Sequence, residues 1–207
     1  MPIIVPMATT FPTAASPAKA RAIRNLHVLH DVLEQSAMAG RTWAFGGLLL
    51  GWAREGDLLG HDCDDVDFAY HADDAHRFES IFGELDEAGF KLSLRYPGAT
   101  GEATEYAFRR DGIKFDFFCL KPRADRFQYA SYGTIAGRPI VNIVEIPAQP
   151  LEEFHFIGRT WLKVRDHAAE LRALYGDWET PRPDWEYMDN PSIVERRPWD
   201  PSSFRLA

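Results

Sequence analysis

The most constraining feature of this sequence is a pair of glycines, Gly46 and Gly47, placed between two apolar segments. Residues 43–45 predict a short buried strand, and the leucine-rich residues 48–52 predict the first turns of a helix. Glycine accepts the positive φ angles that a tight strand-to-helix turn needs. Because a helix N-terminus presents unpaired backbone N–H groups, such a turn can also bind a phosphate. The spacing matches neither a Walker loop nor a dinucleotide-binding fingerprint, so both interpretations of the pair stay open.

Two aspartates follow the glycine pair and occupy alternate positions at the start of a strand predicted over residues 66–70. Successive side chains of a strand point to opposite faces, so Asp65 and Asp67 project from the same face. Two neighbouring carboxylates repel each other, and a cation between them removes that repulsion. Mg²⁺ prefers oxygen ligands and keeps coordination positions for substrate phosphates. The pair therefore indicates a metal site, with a solvated acidic loop as the alternative.

A third carboxylate, Asp116, lies within residues 113–120, a segment that is otherwise suited to burial. Alternation places Asp116 on the face opposite Phe115 and Phe117, together with Lys114. A buried carboxylate needs a partner, because an unpaired charge away from water costs several kcal/mol or shifts its pKa. The partner is either Lys114 or an arginine, in an ordinary ion pair, or the cation held by the first two aspartates. In the second case the carboxylate completes the metal site or accepts a proton from an attacking hydroxyl.

Other residues give weaker signals. Arg54 either binds a phosphate through its planar guanidinium or forms an ion pair with nearby acidic residues. A zinc site at His61 and Cys63 would need further ligands, and the surrounding sequence has none at the required spacing. The EF-hand pattern fails because Val66 occupies a ligand position. The six tryptophans and fourteen phenylalanines are expected in the core and not as a platform for stacked bases.

The formal net charge of −8 argues against a general affinity for nucleic acid, because phosphate backbones are bound by an excess of Lys and Arg. No apolar run approaches the length that crosses a bilayer, and residues 1–7 lack the basic start of a secretory signal. Cys63 and Cys119 are the only cysteines, too few for a disulfide scaffold. We therefore expect a cytoplasmic protein without a transmembrane segment.

Helical and extended patterns alternate at first, and hairpin-connected strands follow. The Asp111–Gly112 pair is typical of a hairpin turn, because both residue types tolerate positive φ. This pattern predicts an α+β or mixed α/β sheet. We expect a flexible arm over residues 1–16, a catalytic domain over 17–178 and a proline-rich tail over 179–207. The predicted helices cover residues 17–40, 48–52, 74–89 and 165–175, and the later strands cover 90–96, 104–110, 113–120, 129–135 and 139–144.

With these residues in place, the sequence resembles the LicD/fukutin family of phosphotransferases, within the nucleotidyltransferase superfamily. The resemblance rests first on residues 47–56, Gly-Leu-Leu-Leu-Gly-Trp-Ala-Arg-Glu-Gly, and on Asp-Asp-Val-Asp at residues 64–67. A second patch, Leu-Arg-Ala-Leu-Tyr-Gly-Asp-Trp, covers residues 171–178, with Thr-Pro at 180–181. The resemblance covers roughly residues 40–185, most of the chain.

The resemblance implies a nucleotidyltransferase-like mixed β-sheet, flanked by helices, that carries metal-binding carboxylates beside the glycine turn. It also implies transfer of a phosphorylated alcohol from a CDP-linked donor, such as CDP-choline or CDP-ribitol, to a hydroxyl of a sugar or cell-surface glycan. The implied cofactor is Mg²⁺ or Mn²⁺. The expected catalytic and metal-binding residues are Asp65, Asp67 and Asp116, and the expected donor-phosphate-binding residues are Gly46, Gly47 and Arg54.

Two alternatives to this transferase remain open at the level of the sequence. One is a nucleotidyltransferase that passes a nucleoside monophosphate from an NTP to a small molecule or a protein. The metal site would be the same, but pyrophosphate would leave instead of CMP. The other is a non-catalytic module that binds a nucleotide or a glycan. An intact set of three aspartates argues against that module.

Overall fold

The structure, a computed structural model, describes residues 17–60, 63–98 and 102–200. The arm predicted over residues 1–16 and the histidine of the zinc alternative, His61, lie outside the described residues. The helices are α1 (Pro17–Gln35), α2 (Gly46–Glu55), α3 (Ala75–Ser80), α4 (Phe82–Glu87) and α5 (His167–Tyr175). The strands are β1 (Thr42–Ala44), β2 (Asp65–His71), β3 (Lys91–Pro97), β4 (Ala103–Arg110), β5 (Ile113–Arg123), β6 (Arg126–Ile135), β7 (Arg138–Pro147), β8 (Leu151–Phe156), β9 (Arg159–Val164) and β10 (Ile193–Pro198).

The main sheet has the strand order β1-β2-β5-β6-β7-β10, and β4 also pairs with β5 while β3 pairs with β4. The pairing of β2 with β5 is parallel, and the other pairings are antiparallel. Strand β5 joins the two parts of the sheet, because its last three residues, Lys121 to Arg123, pair with β6. The predicted α+β class, with a mixed sheet flanked by helices, is confirmed.

Alternation along β2 and β5 divides the core between the two faces of the sheet. Val66, Phe68 and Tyr70 belong to an aromatic-rich cluster that includes residues of α1 and α3. Ala69 belongs to a second cluster, which includes residues of α2 and α5. The odd-numbered positions of β2, which include both of its aspartates, therefore face α2 and α5.

Four hairpins of the described chain have two-residue turns, and each turn begins with a residue of positive φ. These residues are Asp111, Ala124, Ala136 and Ile157. Positive φ matches the twist of the flanking strands in such short connections. The hairpin predicted at Asp111–Gly112 is confirmed, and a further hairpin joins β8 to β9.

Two predicted helices differ from the structure. The helix predicted over residues 74–89 is divided, because α3 ends and α4 begins on either side of Ile81, whose ψ of 6° is not helical. Gly83 lies directly after this break and weakens the local preference for helix. The helix predicted to end near Gly40 ends at Gln35, where turns replace it.

The proline-rich tail wraps onto the sheet as far as residue 200. A 3₁₀ turn covers Tyr187–Asp189, and β10 pairs with β7. The hydroxyl of Ser192 donates a hydrogen bond to the carbonyl of Ala173 at 2.7 Å, which ties the tail to α5. The domain boundary at residue 178 stays a prediction. No helix among residues 17–60, 63–98 and 102–200 is long and apolar enough to cross a membrane.

Candidate functional site

A cavity of about 920 Å³ opens on the face of the sheet that carries α2 and α5. Its floor comes from β2, β5 and β6, and its sides come from the start of β4, from α2 and from residues 174–190. All six predicted site residues line this cavity: Gly46, Gly47, Arg54, Asp65, Asp67 and Asp116. The structure therefore brings together residues that are separated by up to 70 positions in the chain.

The three aspartates meet because β2 and β5 are parallel neighbours in register. Asp67 lies opposite Asp116, and Asp65 lies opposite Lys114. Alternation points all four side chains toward the cavity. One carboxylate oxygen from each aspartate lies within 4.8 Å of the others. This spacing allows one cation to contact all three.

The glycine turn abuts Asp67 directly. The backbone N–H of Gly47 donates a hydrogen bond to Oδ2 of Asp67 at 2.7 Å. Gly46 has a φ of 47°, and an added Cβ would lie 2.9 Å from Cγ of Asp67. Gly46 is therefore needed both for its backbone conformation and for the close approach of the carboxylate. The N–H that was predicted to bind a donor phosphate is bound to Asp67 in this structure.

Lys114 forms ion pairs with two of the three aspartates. Its Nζ lies 3.3 Å from Oδ2 of Asp65 and also pairs with Oδ2 of Asp116. The ordinary ion-pair partner considered for Asp116 is therefore present. One ammonium does not satisfy the whole cluster, however, because the Oδ1 atoms of Asp65 and Asp116 are buried without a hydrogen-bond partner.

Burial and mutual repulsion disfavour the ionised form of this cluster. Burial raises the pKa of Asp67 well above its usual range, the charges of Asp65 and Asp116 raise it further, and the Gly47 N–H opposes the shift. Burial also raises the pKa of Asp116 to about 6, against the opposing effect of Lys114. Three carboxylates with two unpartnered oxygens are a donor set that fits a hard divalent cation such as Mg²⁺ or Mn²⁺.

A fourth carboxylate, Glu105, was missed in the sequence. It lies on β4, lines the cavity and is only 5% exposed. The pairing of β4 with β5 places Ala107 opposite Asp116 and Glu105 opposite Phe118, so Glu105 is the diagonal neighbour of Asp116. Burial, followed by the charge of Asp116, raises its pKa well above the usual range. The position of Glu105 could have been predicted from the sequence, because the hairpin turn at Asp111–Gly112 fixes the register of β4 against β5.

Arg54 also lines the cavity, on α2. Its Nη2 lies 3.6 Å from Oε1 of Glu55, and its Nε is buried without a hydrogen-bond partner. The ion-pair interpretation therefore applies in part, although the acidic partner is the adjacent residue and not the loop before β2. The guanidinium retains donors for a further acceptor.

The remaining side of the cavity is formed by residues 174–190, which we call the C-terminal wall. Its aromatic members are Tyr175, Trp178, Trp185 and Tyr187. The expectation that tryptophans belong to the core applies to Trp43 and Trp161, which are buried, but Trp178 and Trp185 are half-buried and line the cavity. No periodic pattern marks this segment, so its position at the site could not be predicted from local structure.

A comparison with protein families agrees with the resemblance seen in the sequence. The family model described as LicD/FKTN/FKRP, nucleotidyltransferase domain, matches residues 40–162. The match includes the glycine turn, Arg54 and all three aspartates, and it ends before the patch at residues 171–181. None of the curated proteins compared with the chain matches it. Members of this family are generally transferases of the glycan-modifying type. The chain therefore belongs to the LicD/FKTN/FKRP family and is, at that level of description, a transferase.

Proposed function

We propose that the chain is a divalent-metal-dependent transferase that moves a phosphorylated alcohol, of the phosphocholine or polyol-phosphate type, from a CDP-linked donor to a hydroxyl of a sugar or glycan. The observation that carries the proposal is the meeting of Asp65, Asp67 and Asp116 beside the glycine turn. Family membership supports transfer to a glycan, and the size of the cavity suits a nucleotide-linked donor.

In this proposal Asp65, Asp67 and Asp116 hold Mg²⁺ or Mn²⁺. A bound divalent ion would offset the negative charge of the donor diphosphate and of the departing phosphate. The N-terminus of α2 lies beside this site. The N–H of Gly47 is bound to Asp67, so the proposed hydrogen-bond donor to a phosphate oxygen is the N–H of Gly46.

The chain's own residues contribute mainly by position and charge. The guanidinium of Arg54 binds a donor phosphate oxygen, and the strands hold the reacting groups in line. The acceptor oxygen forms a bond to the phosphorus that carries the alcohol, and the bond from that phosphorus to CMP breaks. Asp116 is the proposed acceptor for the hydroxyl proton.

The proposal is tested by measuring CMP release from CDP-choline and CDP-ribitol in the presence of sugar acceptors and Mg²⁺. We expect Asp65→Asn and Asp67→Asn to lower kcat by roughly 100-fold or more while the protein stays folded, because each change weakens the metal site. Asp73→Asn is the matched control, since this exposed aspartate lies just beyond the opposite end of β2. A fully active Asp65→Asn/Asp67→Asn double variant would refute the proposal.

The same assay separates the two alternatives. Release of pyrophosphate from an NTP, without CMP release from a CDP-linked donor, would identify a nucleotidyltransferase. Equal nucleotide binding with and without Mg²⁺, together with no transfer from any donor, would identify a binding module. A thermal-shift panel finds the donor, because a ligand at about a hundred times its Kd adds roughly 2.7 kcal/mol of stability.

A further inference from the structure

We call the part of the cavity lined by Asp65, Asp67 and Asp116 its acidic end. The C-terminal wall differs chemically from this acidic end. Its aromatic side chains Tyr175, Trp178 and Trp185 are half-buried and line the cavity. The rings of Tyr175 and Trp185 lie 4.6 Å apart at an angle of 51°, so they do not cover each other face to face. Large aromatic surfaces at a cavity are suited to a flat, weakly polar ligand group.

Aromatic rings elsewhere in the cavity are used in packing. Tyr132 stacks on Tyr96 at 4.6 Å and 20°, and Trp199 contacts Tyr132 at 5.0 Å. The Tyr132 hydroxyl also hydrogen-bonds to Thr104 and to the carbonyl of Pro97. Near the glycine turn, Phe45, Phe118 and Tyr129 pack against one another. Tyr175 and Trp178 of the C-terminal wall also pack against the core cluster of α2 and α5. Among the described residues, however, no aromatic ring is stacked face to face on Trp178 or Trp185. The C-terminal wall is therefore the aromatic surface of the cavity best suited to a ligand.

Helix α2 connects the two ends of the cavity. It begins at the glycine turn beside Asp67, and Leu50, Arg54 and Glu55 continue the lining along its length. Its ten residues span about 15 Å, which is on the scale of an extended nucleoside diphosphate. Residues of α2 and α5 share one core cluster, and Tyr175, the last residue of α5, begins the aromatic part of the wall.

From this arrangement we infer that the C-terminal wall is the subsite for the base of a nucleoside 5′-phosphate, with Trp178 and Trp185 as its stacking residues. The inference rests on the proposed function, since it assigns one end of the donor to the wall and the phosphates to the acidic end. Stacking on an aromatic side chain tolerates different bases, so the assigned class is a nucleotide and not one particular base.

The experiment compares two probes that share a phosphate but differ in the base. Binding of CMP and of ribose 5-phosphate is measured with Mg²⁺, by calorimetry or by competition, for wild type, Trp178→Ala and Trp185→Ala. We expect each variant to bind CMP roughly 5- to 150-fold more weakly, the range that the loss of one stacked base produces, with ribose 5-phosphate unchanged. Trp185→Phe should recover most of the CMP affinity, because it keeps a ring.

Two control variants separate this inference from the proposed function. Val194→Ala changes an exposed residue of β10 outside the cavity and should bind both probes as wild type does. Asp67→Asn should weaken both probes, because it acts at the phosphate end. If wild type binds neither probe, the proposed function itself fails.

Other outcomes overturn only the assignment of the wall. If CMP affinity is unchanged in both tryptophan variants and in their double variant, the wall is not the subsite for the base. An equal loss of both probes in those variants would give the wall a purely structural role. Loss of binding of free choline, with CMP binding kept, would assign the wall to the alcohol end of the donor instead.

Discussion

The two ends of the cavity are built in different ways. The acidic end stands on β2 and β5, where strand register and alternation fix each carboxylate. The C-terminal wall stands on residues 174–190, where beyond the end of α5 the regular structure is a single 3₁₀ turn. A cluster of ligands for one ion needs fixed positions, whereas a surface that receives one part of a substrate does not. Under the proposed function, chemistry and recognition are therefore carried by separate parts of this chain.

The wall is nevertheless anchored at its last residue, Asn190, and by the strand that follows. Asn190 donates a hydrogen bond from Nδ2 to the hydroxyl of Tyr129 at 3.3 Å, and its Oδ1 accepts one from the N–H of Ser192. Strand β10 then pairs with β7. Nη2 of Arg196 also donates a hydrogen bond to the carbonyl of Met188 at 3.0 Å. Trp178 and Trp185 lie between α5 and these anchors, so substitutions there should alter affinity more than stability.

The largest effect is expected for Gly46→Ala, which tests whether the acidic end depends on fixed positions. The new Cβ would collide with the Asp67 carboxylate and displace it. A displacement of about 1 Å at a reacting group can reduce turnover roughly 100-fold. We expect a loss of at least that size in CMP release, together with a lower midpoint of thermal unfolding.

Gly56→Ala is the matched control for this change. Gly56 ends α2 with a φ of 66°, and no atom lies within 4 Å of an added Cβ. Both variants therefore introduce left-handed strain, but only one displaces a carboxylate. If the two variants lose the same amount of turnover, the close approach of Gly46 to Asp67 has no role.

A smaller effect is expected for Lys114→Met, which removes the cation that pairs with Asp65 and Asp116. We expect the free energy of unfolding in EDTA to fall by about 2 kcal/mol, between the values typical of exposed and of buried ion pairs. Saturating Mg²⁺ should restore most of this loss, because an ion that binds only the folded state stabilises it.

Lys91→Met provides the comparison for that experiment. Lys91 pairs with Asp86 at 2.7 Å, but both side chains are exposed and lie away from the cavity. This variant should change stability little and should not respond to Mg²⁺ differently from wild type. A Lys114→Met protein that Mg²⁺ fails to rescue would indicate that the carboxylates do not bind the ion.

The last prediction concerns Glu170 and extends the comparison to α5, the helix that leads into the wall; within one pH unit its effect on stability is smaller than that of Lys114→Met. Glu170 is fully buried, and neither carboxylate oxygen has a hydrogen-bond partner in the described chain. Burial raises its pKa from an ordinary value of 4.5 to about 8. Tyr129 is its titratable neighbour, and the charge of Glu170 raises the pKa of that tyrosine.

The sign of the resulting pH dependence follows from proton uptake. Between pH 4.5 and 8 the folded state keeps a proton on Glu170 that the unfolded state has released, so stability falls as pH rises. The slope approaches roughly 1.4 kcal/mol per pH unit and vanishes outside that range. In denaturant unfolding, Glu170→Gln should remove this contribution, while Glu179→Gln, an exposed control, should keep it. The part of the slope that comes from the raised pKa values of Asp67, Glu105 and Asp116 should remain in both variants. If the dependence of stability on pH is unchanged in Glu170→Gln, another titratable group causes it.

The sequence was sufficient for the acidic end, because its features are local or periodic. Alternation placed Asp65 and Asp67 on one face, and the apolar neighbours of Asp116 marked it as an exception within a buried strand. Glu105 required one further step, the register of a hairpin whose turn was recognised. Local patterns fail at Ile81, where a break close to Gly83 interrupts a helix that the periodicity continues. They fail also for the wall, whose position depends on contacts between residues far apart in the chain.

The shared strand β5 limits where a chain of this kind can change in length. The first part of β5 pairs Asp116 with β2, and its end pairs Lys121 with β6. The registers of both parts of the sheet therefore depend on the number of residues between Asp116 and Lys121. One residue inserted between these two positions would move every later side chain of the strand to the opposite face of the sheet. The two-residue hairpin turns carry no such constraint. Homologues should therefore differ in length at the turns and keep the interval from Asp116 to Lys121.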